Sequence, residues 1–507
     1  MTVETIDGYV NDTPYMDSVW TDHAPSHLRF RALAHGAAAP DLSSFTYLDL
    51  GCGTGVGTTL YAGLYPGSRF IGIDANPAHI AQARAFARET NVTNVVFIEA
   101  TFEDILTRPP ADLPPCDFVI VHGVYSWVDE NNRQTVRRLL SRVCASGAIV
   151  FLSYNALPGN GAMLPFQRLL HHAASLVGGS SEERLSRAQE VVGCWIARGD
   201  AYFASHGIVR AQRDRMMERS LSYQAHELLN GTWTPFLVTE VAQDMAREGF
   251  QFVGHGSEIM PPLTDTTLEG LPESVARLWN ELARDYTRNT MFRGDLYRAP
   301  SRDGCDAPGT GGIADEWLCS LTGLTDLTAS LPDSLRKPDV TALIERWWTM
   351  LRQGPRKVGE LLMAGMDVGE ETRFLLWYLV DTRGFIPGRA APDGVEAARR
   401  INLALLREPP FGRRVSAMAV PLTGASFNIV QSVALSWLVE QAYPDLDVTN
   451  HARELRALLD LREEGLVRTG NDDPTSDDEL GQEIALLGHA VTHVRRGRDR
   501  MRMAGLI

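Results

Sequence analysis

The sequence predicts an α/β protein built on a doubly wound parallel sheet. Three observations carry that expectation. An apolar strand runs straight into a glycine turn at Tyr47-Leu-Asp-Leu-Gly-Cys-Gly-Thr-Gly55. A second apolar strand, Phe70-Ile-Gly-Ile-Asp74, follows roughly 20 residues later and ends in an acid. From residue 47 to about 155 strand and helix patterns alternate, as parallel strands joined by crossover helices require.

Each element follows from local chemistry. Leu48 and Leu50 are buried strand positions, and Val56 to Tyr65 reads as helix. Gly51, Gly53 and Gly55 supply the positive φ values and the close backbone approach that a bulky ligand needs. The absence of Gly-Lys-Ser/Thr disfavours a P-loop. Asp49 lies inside the strand end, where a carboxylate can pair with a cationic ligand group, and Asp74 is placed to accept the hydroxyls of a ribose. Pro77 to Arg88 is the second helix and Val95 to Glu99 the third strand. Cys116 to Val121 is the fourth strand, followed by His122-Gly-Val-Tyr-Ser-Trp-Val128 at its carboxyl end, where open α/β sheets bind ligands. A helix with Val136, Leu139, Leu140 and Val143 is expected to break at Gly147, before a fifth strand from Ala148 to Ser153 that leads into Tyr154 and Asn155.

Composition bounds the function. The 507 residues suffice for about three domains, with 44% hydrophobic and 22% charged residues and no apolar run long enough for a bilayer. The start, Met1-Thr-Val-Glu-Thr-Ile-Asp, has neither the basic nor the apolar region of a secretory signal, and six scattered cysteines without a CxxC suggest reduced thiols; a cytoplasmic location is expected. The net charge of −15 argues against general nucleic-acid binding and fits a small molecule or a Lys-rich protein partner. His489 and His493 share a helical spacing but lack a Cys or carboxylate partner, so no metal is expected.

The glycine turn, Asp49 and Asp74 together resemble the nucleotide site of class I S-adenosylmethionine-dependent methyltransferases. That resemblance implies S-adenosyl-L-methionine as cofactor, held by Asp49, Gly51, Cys52, Gly53, Thr54, Gly55, Asp74 and Ala75. It also brings Thr101 and Phe102 toward the adenine, Phe102 being equally readable as core, and adds Tyr15 and His122. A narrower likeness rests on Asp12-Thr-Pro-Tyr15, the glycine turn, His122 to Val128, Ser153-Tyr-Asn155 with Pro158-Gly159, and Ala225-His-Glu-Leu-Leu-Asn230 with Trp233-x-Pro-Phe236. These resemble bacterial methyltransferases with a methyltransferase regulatory domain, a family that includes enzymes acting on lysines of outer-membrane proteins. The implied acceptor is a protein lysine; the alternatives are a small-molecule acceptor or a non-catalytic interaction protein. For lysine, Tyr125, Trp127 and Tyr154 are candidates for an aromatic wall that favours the neutral amine, and Asn155 for orienting it. His122 reads either as proton acceptor or as a residue that shapes the turn.

Three units follow: a Rossmann-like methyltransferase domain with an N-terminal lid over 1–160, a helical insertion and regulatory domain over 161–298, and a mostly helical, winged-helix-like module over 316–507. The segment 8–30 reads either as an arm packed by its aromatics or as a lid contributing Tyr15 and Trp20. Residues 164–217 look helical, 238–249 is an amphipathic helix and 250–254 a short strand. The Gly/Pro/Asp-rich stretch 299–315 reads as a loop or linker, and further helices are expected over 340–351, 357–364, 370–380, 394–406, 427–441 and 449–466. The basic run 494–502 reads as a solvated tail.

Overall fold

A computed structural model describes residues 10–428, apart from 14–18, 111, 198–200, 260–271, 302–310, 322–323, 330, 366–370 and 408–416, together with residue 447. Tyr15, the expected helix over 427–441 from residue 429 on, the one over 449–466, His489, His493 and the basic tail lie outside the described residues, and residues 427–428 end a strand rather than start a helix.

Helix α1 (Pro25–Ala34) precedes the alternating units β1 (Thr46–Leu50), α2 (Val56–Leu64), β2 (Arg69–Asp74), α3 (Pro77–Glu89), β3 (Val95–Glu99), α4 (Phe102–Thr107), β4 (Cys116–Val121), α5 (Glu130–Val143) and β5 (Cys144–Asn155). Strands β1 to β5 pair in parallel, and each apolar strand is covered on both faces, which is why β1, β2 and β4 read as near-continuous hydrophobic runs. One face of the sheet packs Tyr47, Phe70, Phe118, Ile120, Ile149 and Phe151 against α1 and α2. The other packs Leu48, Leu50, Val119, Val121, Val150 and Leu152 against α5.

Gly147 departs from expectation. It does not end α5, which stops at Val143; it lies inside β5 at φ +73°, where the pairing with β4 shifts register between Cys116 and Phe118. The left-handed glycine absorbs the extra residues as a bulge rather than a break.

The helical stretch consists of α6 (Leu164–Ser175), α7 (Ser181–Ala197), α8 (Ala201–Ser205), α9 (Gly207–Met217) and α10 (Leu221–Leu228). These helices bury a core of their own, including Phe166, Leu170, Leu185, Val192, Val209 and Leu228, and Val10 joins it. The N-terminal arm is stitched to this insertion. The Val10 amide donates to Asn230 Oδ1 at 2.8 Å, the Ser181 amide to Asp12 Oδ2 at 2.8 Å, and His226 Nε2 meets the Thr13 carbonyl at 2.9 Å.

The chain then returns to the sheet through α11 (Val238–Arg247), β6 (Gln251–His255), α12 (Glu273–Arg288) and β7 (Phe292–Arg298). Strand β7 inserts antiparallel between β5 and β6, completing the order β3-β2-β1-β4-β5-β7-β6. The sheet therefore extends beyond residue 160 and takes its last two strands from the segment read as the second unit. Sequence reading missed α12 and β7. The strand carries Arg293 and Asp295, both fully buried, and they are tolerated because Arg293 pairs with Asp295 (2.8 Å) and with Glu281 (2.9 Å) and Asp285 (2.8 Å) of α12.

The third unit comprises β8 (Trp317–Cys319), α13 (Leu324–Ala329), α14 (Pro338–Arg352), β9 (Arg356–Lys357), α15 (Val358–Ala364), α16 (Glu371–Asp381), β10 (Ile386–Gly388), α17 (Val395–Arg407), β11 (Ala417–Val420) and β12 (Ala425–Asn428). Antiparallel β10-β8-β9 forms one small sheet and β11-β12 a hairpin that sequence reading did not anticipate. Trp347 anchors the unit's own core and donates from Nε1 to the Leu361 carbonyl at 2.7 Å. The unit also shares the core of the first one. Ala398, Ile401 and Leu405 of α17 pack with Leu60 and Leu64 of α2, and a Cβ on Gly63 would meet Ile401 Cδ1 at 2.6 Å. Arg389 donates to the Leu64 carbonyl (2.8 Å), Arg400 to that of Thr90 (2.9 Å), and Ser26 to that of Thr423 (2.8 Å).

Candidate active site

The carboxyl ends of β1, β2 and β4 meet around the glycine turn. Gly51, Gly53 and Gly55 have φ values of +83°, +55° and +66°. They serve different ends. A side chain on Gly55 would strike Phe97 at 2.5 Å and Ala83 at 2.7 Å, so this glycine lets α2 pack on α3 and β3. A Cβ on Gly53 would meet nothing within 4 Å, so that face of the turn is open.

Across the opening, Asp74 Oδ2 accepts from the Gly53 amide and Oδ1 from the Asn76 amide, both at 2.9 Å. Asn76 is itself fixed as the N-cap of α3, accepting from the Ala78 amide. The Asp74 carboxylate is thus oriented by backbone donors and keeps lone pairs for two ribose hydroxyls. Ala75 is half-buried beside it. The Ala100 amide donates to the Asp74 carbonyl at 3.1 Å, which brings Thr101 and Phe102 to the same edge. Thr101 is occupied locally: its hydroxyl caps α4, accepting from the Asp104 amide at 3.1 Å. Phe102 is half-buried against the core face that holds Ile105, as the core alternative expected.

Asp49 accepts from the Thr58 hydroxyl at 2.6 Å. Burial, reinforced by the nearby charge of Asp74, nonetheless pushes its pKa up to about 6. A carboxylate held at such a cost favours a cationic neighbour. Burial and the same two carboxylates push the Cys52 thiol far up, so Cys52 lines the turn as a neutral group rather than a nucleophile. Thr54 is half-buried on the turn. The open Gly53 face, the anchored Asp74 and the buried Asp49 fit the sulfonium nucleoside expected from the sequence.

Beside this cradle, His122 follows β4 and faces an aromatic mouth. Trp20 lies 5.1 Å from it, His23 4.5 Å, Phe292 5.7 Å and Phe151 6.3 Å, centroid to centroid. Trp20 and Phe292 are both exposed. His122 Nδ1 contacts the Ser153 hydroxyl at 3.1 Å, and the Gly123 amide donates to that same hydroxyl at 3.0 Å. Burial brings the His122 pKa down to about 4 against a raising effect of Asp22, so the ring is neutral at pH 7. His23 is also held neutral, first by burial and then by His122 and His27.

The expected aromatic wall needs correction. Tyr125 and Tyr154 are fully buried on the opposite face of the sheet. Tyr125 donates to Asp244 Oδ2 (3.1 Å) and accepts from Arg137 (2.8 Å), while Tyr154 donates to Asp295 Oδ2 at 2.5 Å. For Tyr154 strand alternation is the reason: along β5, Phe151 and Ser153 face the mouth, so Tyr154 points away. Trp127 is buried and stacks on Trp233 at 6.1 Å and 13°, tying the loop after β4 to the segment before α11. Asn155 stands at the end of β5 in step with Ser153; its amide donates to Ser126 Oγ at 2.8 Å and its carbonyl accepts from the Phe236 amide at 2.9 Å. The mouth is therefore built from Trp20, His23, Ser153 and Phe292 around His122. Alternation along β5 was a usable signal for Ser153; Phe292 sits on the strand that sequence reading missed.

Comparisons with known proteins place the chain among methyltransferases. Residues 41–185 match the model of a methyltransferase domain, and residues 220–298 that of a predicted methyltransferase regulatory domain. In fold the chain is similar to PKMT2 from Rickettsia typhi solved in complex with AdoHcy, at a TM-score of 0.64 and 16% identity, covering 97% of this chain and 99% of that one. By sequence it is 30% identical over 299 residues to an uncharacterized protein of Synechocystis, covering 57% of this chain and 58% of that protein. It is 24% identical over 296 residues to an uncharacterized protein of Rickettsia prowazekii, covering 56% of this chain and 52% of that protein. The chain thus spans about half the length of the curated relatives it matches.

Proposed function

Because the chain carries a methyltransferase domain of the S-adenosylmethionine-dependent class joined to a methyltransferase regulatory domain, we propose that it methylates lysine side chains of a protein. The observation that carries this reading is the exposed aromatic mouth of Trp20 and Phe292 beside His122, opening next to the Gly53–Asp74 cradle. Support also comes from the likeness in fold to PKMT2, a protein lysine methyltransferase, over nearly the whole chain.

When bound, S-adenosylmethionine supplies a methyl group activated on a sulfonium. Asp74 holds the ribose, the glycine turn admits the backbone-close part of the ligand, and Asp49 adds negative charge beneath it. Trp20 and Phe292 give an acceptor stem an apolar lining and a π-face for a cationic nitrogen. Burial there favours the neutral amine, whose ordinary pKa is about 10.4. Tight alignment then does most of the work of an in-line transfer. Residues 10–13 of the N-terminal arm are stitched to the α6–α10 insertion, which holds the arm that carries Trp20 at the mouth. The third unit, with short helices around a small antiparallel sheet, serves as the interaction module that the winged-helix-like comparison suggests.

A second reading is methylation of a small molecule. Its support is that relatives named malonyl-[acyl-carrier protein] O-methyltransferase (Paenibacillus) and trans-aconitate 2-methyltransferase (Afipia carboxidovorans) match 21% and 27% of the chain. One experiment separates the two. The full chain is incubated with isotopically labelled S-adenosylmethionine and a cell-envelope extract, and peptides and small molecules are analysed by mass spectrometry. Label on lysines of a defined protein supports the first reading; label confined to the small-molecule fraction replaces it with the second.

A further inference from the structure

His122 has one ring nitrogen engaged among the described residues. Nδ1 meets the Ser153 hydroxyl, whereas no hydrogen bond engages Nε2 among the described residues. Which nitrogen carries the proton decides what the residue does, and the surroundings of Ser153 decide that. Its hydroxyl is fully buried and already accepts a proton from the Gly123 amide. Its own O–H needs an acceptor, and His122 Nδ1 is the one within reach among the described residues. If Nδ1 were protonated, two donors would converge on Ser153 and its buried O–H would have no partner, an arrangement that folded proteins avoid.

We propose that Ser153 is a positioning residue that locks His122 in the tautomer protonated at Nε2, so that His122 offers the ligand a hydrogen-bond donor and not a base. The relay runs from the Gly123 amide to Ser153 Oγ, and from the Ser153 O–H to His122 Nδ1. The Nε2–H then suits an oxygen of the bound ligand, a carboxylate or carbonyl. It cannot take a proton from an incoming ammonium. His23 does not replace it through Nε2, which is sealed from solvent. Asp22, the charged group that faces this cluster, is engaged by His27 and Ser257. Among the described residues at the mouth this leaves no ring nitrogen placed to take the amine's proton, and the proposal routes that proton to water before transfer.

This inference rests on the methyl-transfer reading only for its statement about the acceptor, and its test does not. The full chain is labelled with 15N-histidine, and long-range proton–nitrogen correlation at pH 7 reads the tautomer of each ring, with His122→Gln identifying the His122 signals. The expected spectrum shows Nε2 protonated and Nδ1 bare. Ser153→Ala should move the population toward the Nδ1-protonated tautomer and lower turnover about tenfold. Ser153→Thr, which keeps the hydroxyl, should restore both; Ser153→Cys is the alternative donor if threonine is too large for the site. A wild-type ring protonated at Nδ1 overturns the proposal, as does an unchanged tautomer in a folded Ser153→Ala. If the extract assay labels no protein, the lysine reading falls while the tautomer result stands.

Discussion

The Gly53 amide donates to the Asp74 carboxylate across 2.9 Å, joining the turn after β1 to the tip of β2. One bond thus sets both the shape of the open turn and the direction of the acid that faces it. Asp74→Ala should leave the fold intact, since the acid is at the sheet's edge, and weaken S-adenosylmethionine binding by two orders of magnitude or more. The scale follows from losing two hydrogen bonds to a charged group at roughly 1.5–3 kcal/mol each. Calorimetry giving wild-type affinity in the folded variant would remove the ribose assignment.

Asp49 makes cofactor affinity depend on pH. Its pKa in the folded protein is raised to about 6, so the negative charge beneath the turn is present above that value and lost as pH falls through it. Binding of a cationic ligand should weaken between pH 7 and 5. Asp49→Asn should bind more weakly at pH 7 and flatten that dependence. A dependence of equal size in both proteins would assign it elsewhere.

The Arg293 cluster should dominate the stability of the sheet's late edge. Removing this buried guanidinium leaves Asp285 and Asp295 without the cation they share and Glu281 with Arg284 alone, and breaking a buried pair costs about 3–5 kcal/mol. Asp285 already has a folded pKa raised to about 6, above the ordinary carboxylate range. For an acid shifted upward, stability is lost as pH rises from the unfolded pKa through the folded one. Arg293→Met should therefore be least stable at pH 8 and recover part of the loss at pH 5, read from urea midpoints at both. Equal losses at both pH values would mean that the carboxylates stay charged.

Trp20 and Phe292 line the mouth from separate parts of the chain. Trp20→Ala and Phe292→Ala should each raise KM for a protein acceptor several-fold while leaving cofactor affinity unchanged, because both rings pack beside His122. Steady-state kinetics paired with cofactor titration tests this. A loss of cofactor affinity with unchanged KM would place both residues on the nucleotide instead.

The packing of α17 on α2 gives a fifth expectation. Ile401 is fully buried against the α2 surface that Gly63 opens. Ile401→Ala should cost about 2–5 kcal/mol in urea unfolding. A cost below about 1 kcal/mol would mean that the helices separate readily.

The glycine turn, Asp74 and the first five strands were legible because periodicity, turn chemistry and a strand-terminal acid agree there. Gly147 was misread because one glycine serves equally to stop a helix or to bulge a strand, and only the pairing with β4 tells which. Strand β7 was hidden by Arg293 and Asp295, charges that look exposed until their partners on α12 are known. Tyr125 and Tyr154 were placed at the mouth from proximity in sequence, against the alternation that turns Tyr154 away from Ser153. Of the mouth's exposed rings, Trp20 was named as part of a lid, but Phe292 had no signal of its own.

Helix α2 spans nine residues, roughly 13 Å at 1.5 Å per residue. It begins at the glycine turn and ends under Arg389, which holds the Leu64 carbonyl from 325 residues away. Sequence distance therefore misstates mechanical distance in this molecule. A strut whose head lies at the nucleotide cradle has its foot set in the C-terminal unit, so any load that tilts that foot is delivered to the cradle without crossing a hinge.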